Sequence, residues 1–152
     1  CLYLFCTALF HLALFPGKKD FPAASARAWA LFVTMKSQPL HTRNCIWIHG
    51  ASVGEIVATS PLVKEIRKAM PDAKILVSAV TTGGYNMAHQ IIPEADAIIY
   101  FPLDMPFVSE SFVKRIMPRI FMPVETELWP NFLRAIKRRR IPVMMVKRPY
   151  FR

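Results

Sequence analysis

The sequence predicts an α/β fold built on a parallel, doubly wound sheet, and three observations predict it. Short β-rich runs recur at Cys45–Ile48, Lys74–Val80, Ala97–Phe101, Ile120–Val124 and Ile141–Val146. Helical stretches of crossover length separate them. Polar, small and acidic residues gather just after the strands, where the loops of such a sheet converge on a ligand. At 152 residues and 53% hydrophobic content, the chain can bury the core of one ordinary domain.

Residues Cys1–Phe15 are almost wholly apolar and stop at Pro16-Gly17-Lys18-Lys19. The run is shorter than the ~20 helical residues that cross about 30 Å of hydrocarbon. Segment 1–19 is therefore expected to associate with a membrane, as a clipped span, an interfacial anchor or the tail of a signal segment, with a buried core helix as the plainer alternative. The lysines fit a cytoplasmic side. Segment 20–44 mixes Pro, Ala, Ser and basic residues with little periodicity and reads as a connector. A first residue that is not Met and an end just past a predicted strand suggest a fragment of a longer protein.

From residue 45 onward the elements follow in order. After the first strand the reading stays open: either a helix starts at Val53 and kinks at Pro61, or a loop persists to Ser60. In the second case Ser60 caps a helix to Ala69, with Pro61 at its first position and Leu62, Val63 and Ile66 toward the sheet. Thr81-Thr82-Gly83-Gly84 reads as a turn with hydroxyls and accessible amides. Asp104 is expected to cap a helix through Ile116 with Phe107, Val108, Phe112 and Val113 inward. Pro130 opens a last helix to Arg139.

A formal charge of +10 directs the surface toward anions without choosing among phosphates, phospholipid headgroups and nucleic acid. Cys1, Cys6 and Cys45 have no paired spacing, so neither a disulfide framework nor a zinc site is expected, and the compartment reads as reducing. His11, His41, His49 and His89 lack ligand spacing and read as packing or surface residues; no metal is implied. Lys137-Arg138-Arg139-Arg140 reads as a solvated helix end whose cations complement the dipole.

Two stretches carry chemistry. In Trp47-Ile48-His49-Gly50-Ala51-Ser52-Val53-Gly54-Glu55 an apolar strand runs into a small-residue turn that delivers a carboxylate near a helix start. There the macrodipole favours the ionised form by about 0.3–1 kcal/mol, as a general base requires, although a simple helix cap would look the same. In Val124-Glu125-Thr126-Glu127-Leu128-Trp129-Pro130-Asn131 acidic residues again follow a strand. If the chain stays extended, Glu125 and Glu127 point to the same side. The glycine spacing matches neither a GxGxxG fingerprint nor a Walker loop.

Together these stretches resemble the Kdo transferases, which add 3-deoxy-D-manno-octulosonic acid to lipid A precursors. Thr81–Tyr85, Tyr100–Pro106 and Arg138–Val143 resemble further segments of that family in the same order. The resemblance implies the N-terminal, Rossmann-like half of a GT-B glycosyltransferase, the acceptor-binding half, without the C-terminal donor domain. It implies Glu55 as general base and Glu125 in transition-state stabilisation, with Ser52, Gly54, Thr82, Gly83, Glu127, Trp129 and Asn131 toward the acceptor. The implied reaction is inverting, with CMP-Kdo as donor substrate and neither cofactor nor metal in the step. The implied partners are a lipid A precursor, the anionic cytoplasmic face of the bacterial inner membrane and the missing donor domain, with no nucleic acid. Three departures stand out: the connector lacks the family's Arg- and Trp-rich character, Arg140 stands where the family often has Gly, and after Val146, where an Asn- and Arg-containing loop is expected, the sequence reads Lys147-Arg148-Pro149. A noncatalytic, basic membrane-surface domain is the first alternative; a nucleotide-binding oxidoreductase domain is the second.

Overall fold

A computed structural model of the chain describes residues 44–125 and 128–147. The expectations for segment 1–19 and for the connector up to residue 43 lie outside the described residues, as does Glu127. Four parallel strands, β1 (Cys45–His49), β2 (Lys74–Ala79), β3 (Ala97–Tyr100) and β4 (Ile120–Pro123), form one sheet in the order β3-β2-β1-β4. They alternate with α1 (Val53–Ala69), α2 (Thr82–Ile91), α3 (Pro106–Ile116) and α4 (Pro130–Arg138). The strand order reverses between β1 and β4, where His49 lies opposite Pro123.

Alternation along the strands sorts side chains into two cores, one on each face of the sheet. Cys45 and Trp47 point to the face covered by α3 and α4, where they meet Leu76, Phe112, Phe121 and Phe132. Ile46 and Ile48 point to the other, with Ile75, Val77, Ile56 and Val63 of α1, and Ala88 of α2. Trp47 and Phe132 are fully buried with rings 5.0 Å apart, and truncating either to Ala would cost about 3–5 kcal/mol. At the amino end of the sheet, Asp96 accepts from the Ile75 amide at 2.8 Å and Lys74 Nζ at 3.0 Å, and from Arg67. Burial disfavours its charge, but these donors outweigh burial and bring its pKa down to about 2.

Several sequence expectations change in detail. α1 starts at Val53 and continues through Pro61, so Ser52 is its cap and Ser60 lies inside it, donating to the Ile91 carbonyl at 3.1 Å. Pro61 is tolerated because it and Val57, whose carbonyl its ring leaves without an amide donor, both sit on the exposed side of the helix. Thr81–Gly84 opens α2 instead of forming a turn: Thr81 Oγ1 accepts from the Gly84 amide at 3.0 Å. Asp104 caps α4 and not its own helix, whose N-cap is Met105. Phe107 is 77% exposed, because the inward stripe of α3 is Val108, Phe112, Val113 and Ile116 and Phe107 lies about 100° off it. The fifth strand reduces to isolated parallel bridges, Phe121↔Val143 and Val124↔Val146, beside a Pro142 that has no amide to donate. Arg139 leaves the solvated helix end to pair with Glu110 at 2.7 Å, tying α4 to α3.

Candidate active site between the ends of β1 and β4

β1 is buried along its whole length and delivers His49 and then the turn Gly50–Ser52 to the carboxyl edge of the sheet. The turn is pinned to the end of β2: Gly50 N–H donates to the Ser78 carbonyl at 3.0 Å, and the Ala51 carbonyl accepts the Val80 and Thr81 amides, each at 3.1 Å. Ser52 then caps α1, and Glu55 Oε2 accepts the Ser52 amide at 2.8 Å. This is the carboxylate arm of a capping box. Among the described residues the second oxygen of Glu55 has no hydrogen-bond partner. Gly50 permits the geometry, since a Cβ there would lie 3.1 Å from Glu55 Cβ and 3.2 Å from its carbonyl carbon.

The start of α2 presses against the same corner. A Cβ on Gly84 would lie 3.3 Å from the Ser52 carbonyl carbon, and one on Gly83 would lie 3.1 Å from Val53 Cγ2. Ser52, Gly54, Thr82 and Gly83 thus share one side of the site with Glu55. An open, apolar groove of about 300 Å³ adjoins it, lined by Gly54, Val57, Ala58, Pro61, Val124, Val146 and Lys147.

Across the switch, β4 continues into Val124, whose amide donates to the His49 carbonyl at 2.8 Å, and then into Glu125. Glu125 has φ 65° and donates its amide to the Val146 carbonyl at 2.8 Å. Glu125 is thus left-handed and not extended, and the expectation for Glu127 lies outside the described residues. A non-glycine residue held there costs about 1 kcal/mol or more, and such strain clusters at functional sites.

Trp129 and Asn131 are held from the α3–α4 side. Asn131 Nδ2 donates to the Asp104 carbonyl at 2.8 Å, and Trp129 Nε1 donates to His49 Nε2 at 3.2 Å. His49 is fully buried, stacks on Phe101 with centroids 3.9 Å apart, and meets Ser78 Oγ at 3.0 Å through Nδ1. Burial pushes its pKa down to about 3 against a smaller opposing contribution from Ser78. Sequence reasoning treated His49 as ordinary packing and left the long-range role of Asp104 unseen. A polar residue closing a fully buried strand must find partners, and that was the available signal.

Among the described residues no group of three or more His, Cys, Asp or Glu side chains is placed to hold a metal ion, and no helix is long and apolar enough to cross a membrane.

Comparison with known proteins adds an independent finding. Residues 24–147 match the family described as 3-deoxy-D-manno-octulosonic-acid transferase (kdotransferase). A 3-deoxy-D-manno-octulosonic acid transferase of Haemophilus influenzae is 34% identical over 100 residues, covering 66% of this chain and 23% of the relative. One from Chlamydia muridarum is 28% identical over 132 residues, 86% of this chain and 29% of the relative. A probable mitochondrial one from Arabidopsis thaliana is 29% identical over 98 residues, 64% of this chain and 22% of the relative. The chain spans less than a third of the length of these relatives.

Proposed function

The chain belongs to the 3-deoxy-D-manno-octulosonic-acid (Kdo) transferase family, and from that premise we propose that its α/β domain is the acceptor-binding half of a GT-B glycosyltransferase that moves Kdo from CMP-Kdo to a lipid A precursor. The carrying observation is the placement of Glu55 and Glu125 just past the ends of β1 and β4, the two strands that flank the switch point where such sheets bind ligands.

In this reading Glu55 takes the proton from an acceptor sugar hydroxyl while that oxygen bonds to the anomeric carbon of Kdo. The bond from that carbon to the CMP phosphate breaks, and its electron pair leaves with CMP, so the configuration inverts. The Ser52 amide holds one carboxylate oxygen, which aims the other. Glu125 stabilises the charge that develops at the sugar. Ser52, Gly54, Thr82 and Gly83 form one wall against the acceptor; Trp129 and Asn131 belong to the other. The donor surface belongs to length that the relatives have and this chain does not span. The +10 charge suits a peripheral position at the cytoplasmic face of the inner membrane, where each basic residue near anionic lipid contributes about 1 kcal/mol.

Calorimetric titration of detergent-solubilised tetraacyl lipid A precursor, and separately of CMP, tests this. Saturable lipid binding that survives Glu55→Gln, without CMP binding, is the expected result. A folded chain that binds CMP but no lipid would overturn it.

A further inference from the structure

We infer that His49 is a positioning residue that holds Trp129, just ahead of α4, beside the switch point by accepting a hydrogen bond from its indole. An indole Nε1 can only donate, so at 3.2 Å from Trp129 Nε1 the His49 Nε2 must carry a lone pair. A neutral ring then has its proton on Nδ1, which donates to Ser78 Oγ at 3.0 Å. The same oxygen accepts the Trp47 indole N–H at 2.8 Å. The Trp129 indole thus fixes the tautomer of His49, and the Ser78 hydroxyl, which can accept or donate, accommodates it.

The chain of bonds runs from the core outward. Trp47 on β1 and Ser78 on β2 are fully buried and belong to the rigid sheet. His49 is clamped between them and the Phe101 ring. Trp129, partly exposed, hangs on the outer nitrogen. Its carbonyl in turn accepts the Leu133 amide at 2.8 Å, so its placement also sets the first turn of α4. No backbone pairing among the described residues joins Leu128 or Trp129 to the sheet. The imidazole supplies the hydrogen bond that joins the sheet to Trp129, beside the packing of that indole on Phe101 with centroids 5.3 Å apart.

The relevance of this device to sugar transfer rests on the function proposed above, but the device can be tested apart from it. In the wild-type chain, NMR should detect a scalar coupling across the Trp129 Nε1–H···Nε2 His49 bond and ring shifts of the Nδ1-protonated tautomer. His49→Phe should expose the Trp129 indole proton and speed exchange of the Leu133 amide by about tenfold, while Val77 in β2 stays protected. His49→Gln, whose amide oxygen can accept the indole proton, should restore most of the protection. Absence of the coupling, an Nε2-protonated ring, or unchanged exchange in His49→Phe would each overturn the inference. Should His49→Phe fail to fold, the coupling and the tautomer in wild type still decide it. Failure of the lipid titration with these signatures intact would remove the proposed function and leave the positioning role standing.

Discussion

Asp104, in the loop after β3, caps a helix that begins twenty-six residues later: its Oδ1 accepts the Phe132 amide at 2.7 Å, and its Oδ2 accepts the Asn131 amide at 3.1 Å. One carboxylate therefore ties the loops that follow β3 and β4. Asp104→Ala is expected to lower stability by about 1–2 kcal/mol, measured by urea denaturation, because the first amides of α4 lose their acceptor. Asp104→Asn, which keeps one oxygen, should cost less.

Arg140 has φ 55° at the residue after the α4 cap, where the Arg140 amide meets the Lys137 carbonyl at 3.0 Å and the Ile141 amide meets the Ile136 carbonyl at 3.2 Å. These paired bonds form a Schellman motif, which favours glycine at that position. Arg140→Gly should stabilise the chain by about 0.5–1 kcal/mol: it relieves a left-handed cost of about 1–2 and gives back part as unfolded-chain freedom. Thermal denaturation of the two proteins would show the rise in midpoint.

His49 titrates near 3 in the folded chain and near 6.5 when unfolded, so the unfolded state binds the extra proton between those values. Its stabilising contribution is complete above about pH 6.5 and falls, by up to ~1.4 kcal/mol per pH unit, as pH drops toward 3. Urea midpoints from pH 7 to 4 should decline in wild type and flatten in His49→Gln.

Asp96 acts in a lower window. Its folded pKa of about 2 lies below the ordinary carboxyl value of 3.8, so its contribution is present above that value and is lost as pH falls toward 2. Asp96→Asn should lower stability at pH 7 and remove the part of the acid transition that lies below pH 4, read by circular dichroism.

Gly50→Ala would set a Cβ 3.1–3.3 Å from Cβ and main-chain atoms of Glu55 and Ile56, which only a shift of the α1 start can relieve. A cost of about 1–3 kcal/mol is expected. Gly83→Ala meets one side-chain atom, Val53 Cγ2 at 3.1 Å, and no main chain, so it should cost less than Gly50→Ala. Comparing the two by denaturation and lipid titration separates loss of the carboxylate's placement from general strain.

The sheet was legible because each strand is a β-branched or apolar run, and the two-sided core followed from strands without polar alternation. Glu55 and Glu125 stood out because a carboxylate after a buried strand is costly without a task. α2 was not legible: Gly83 and Gly84 are poor helix formers, and Gly84 stands where a Cβ would lie 3.3 Å from both the Ser52 carbonyl carbon and Ala79 Cβ. The start of α1 was obscured by Pro61, whose exposed position only the fold reveals. Asp104 and His49 act across 28 and 80 residues of sequence, on Phe132 and Trp129, beyond the reach of any local pattern.

The bond from the Ser52 amide to Glu55 has a thermodynamic consequence for ligand recognition. Because main-chain geometry fixes the carboxylate in the ligand-free chain, its rotamer entropy is surrendered during folding and not on encounter with a sugar hydroxyl. Association at this corner should therefore proceed as rigid docking, with little reorganisation penalty and with selectivity governed by how well the incoming hydroxyl meets an oxygen that is already aimed.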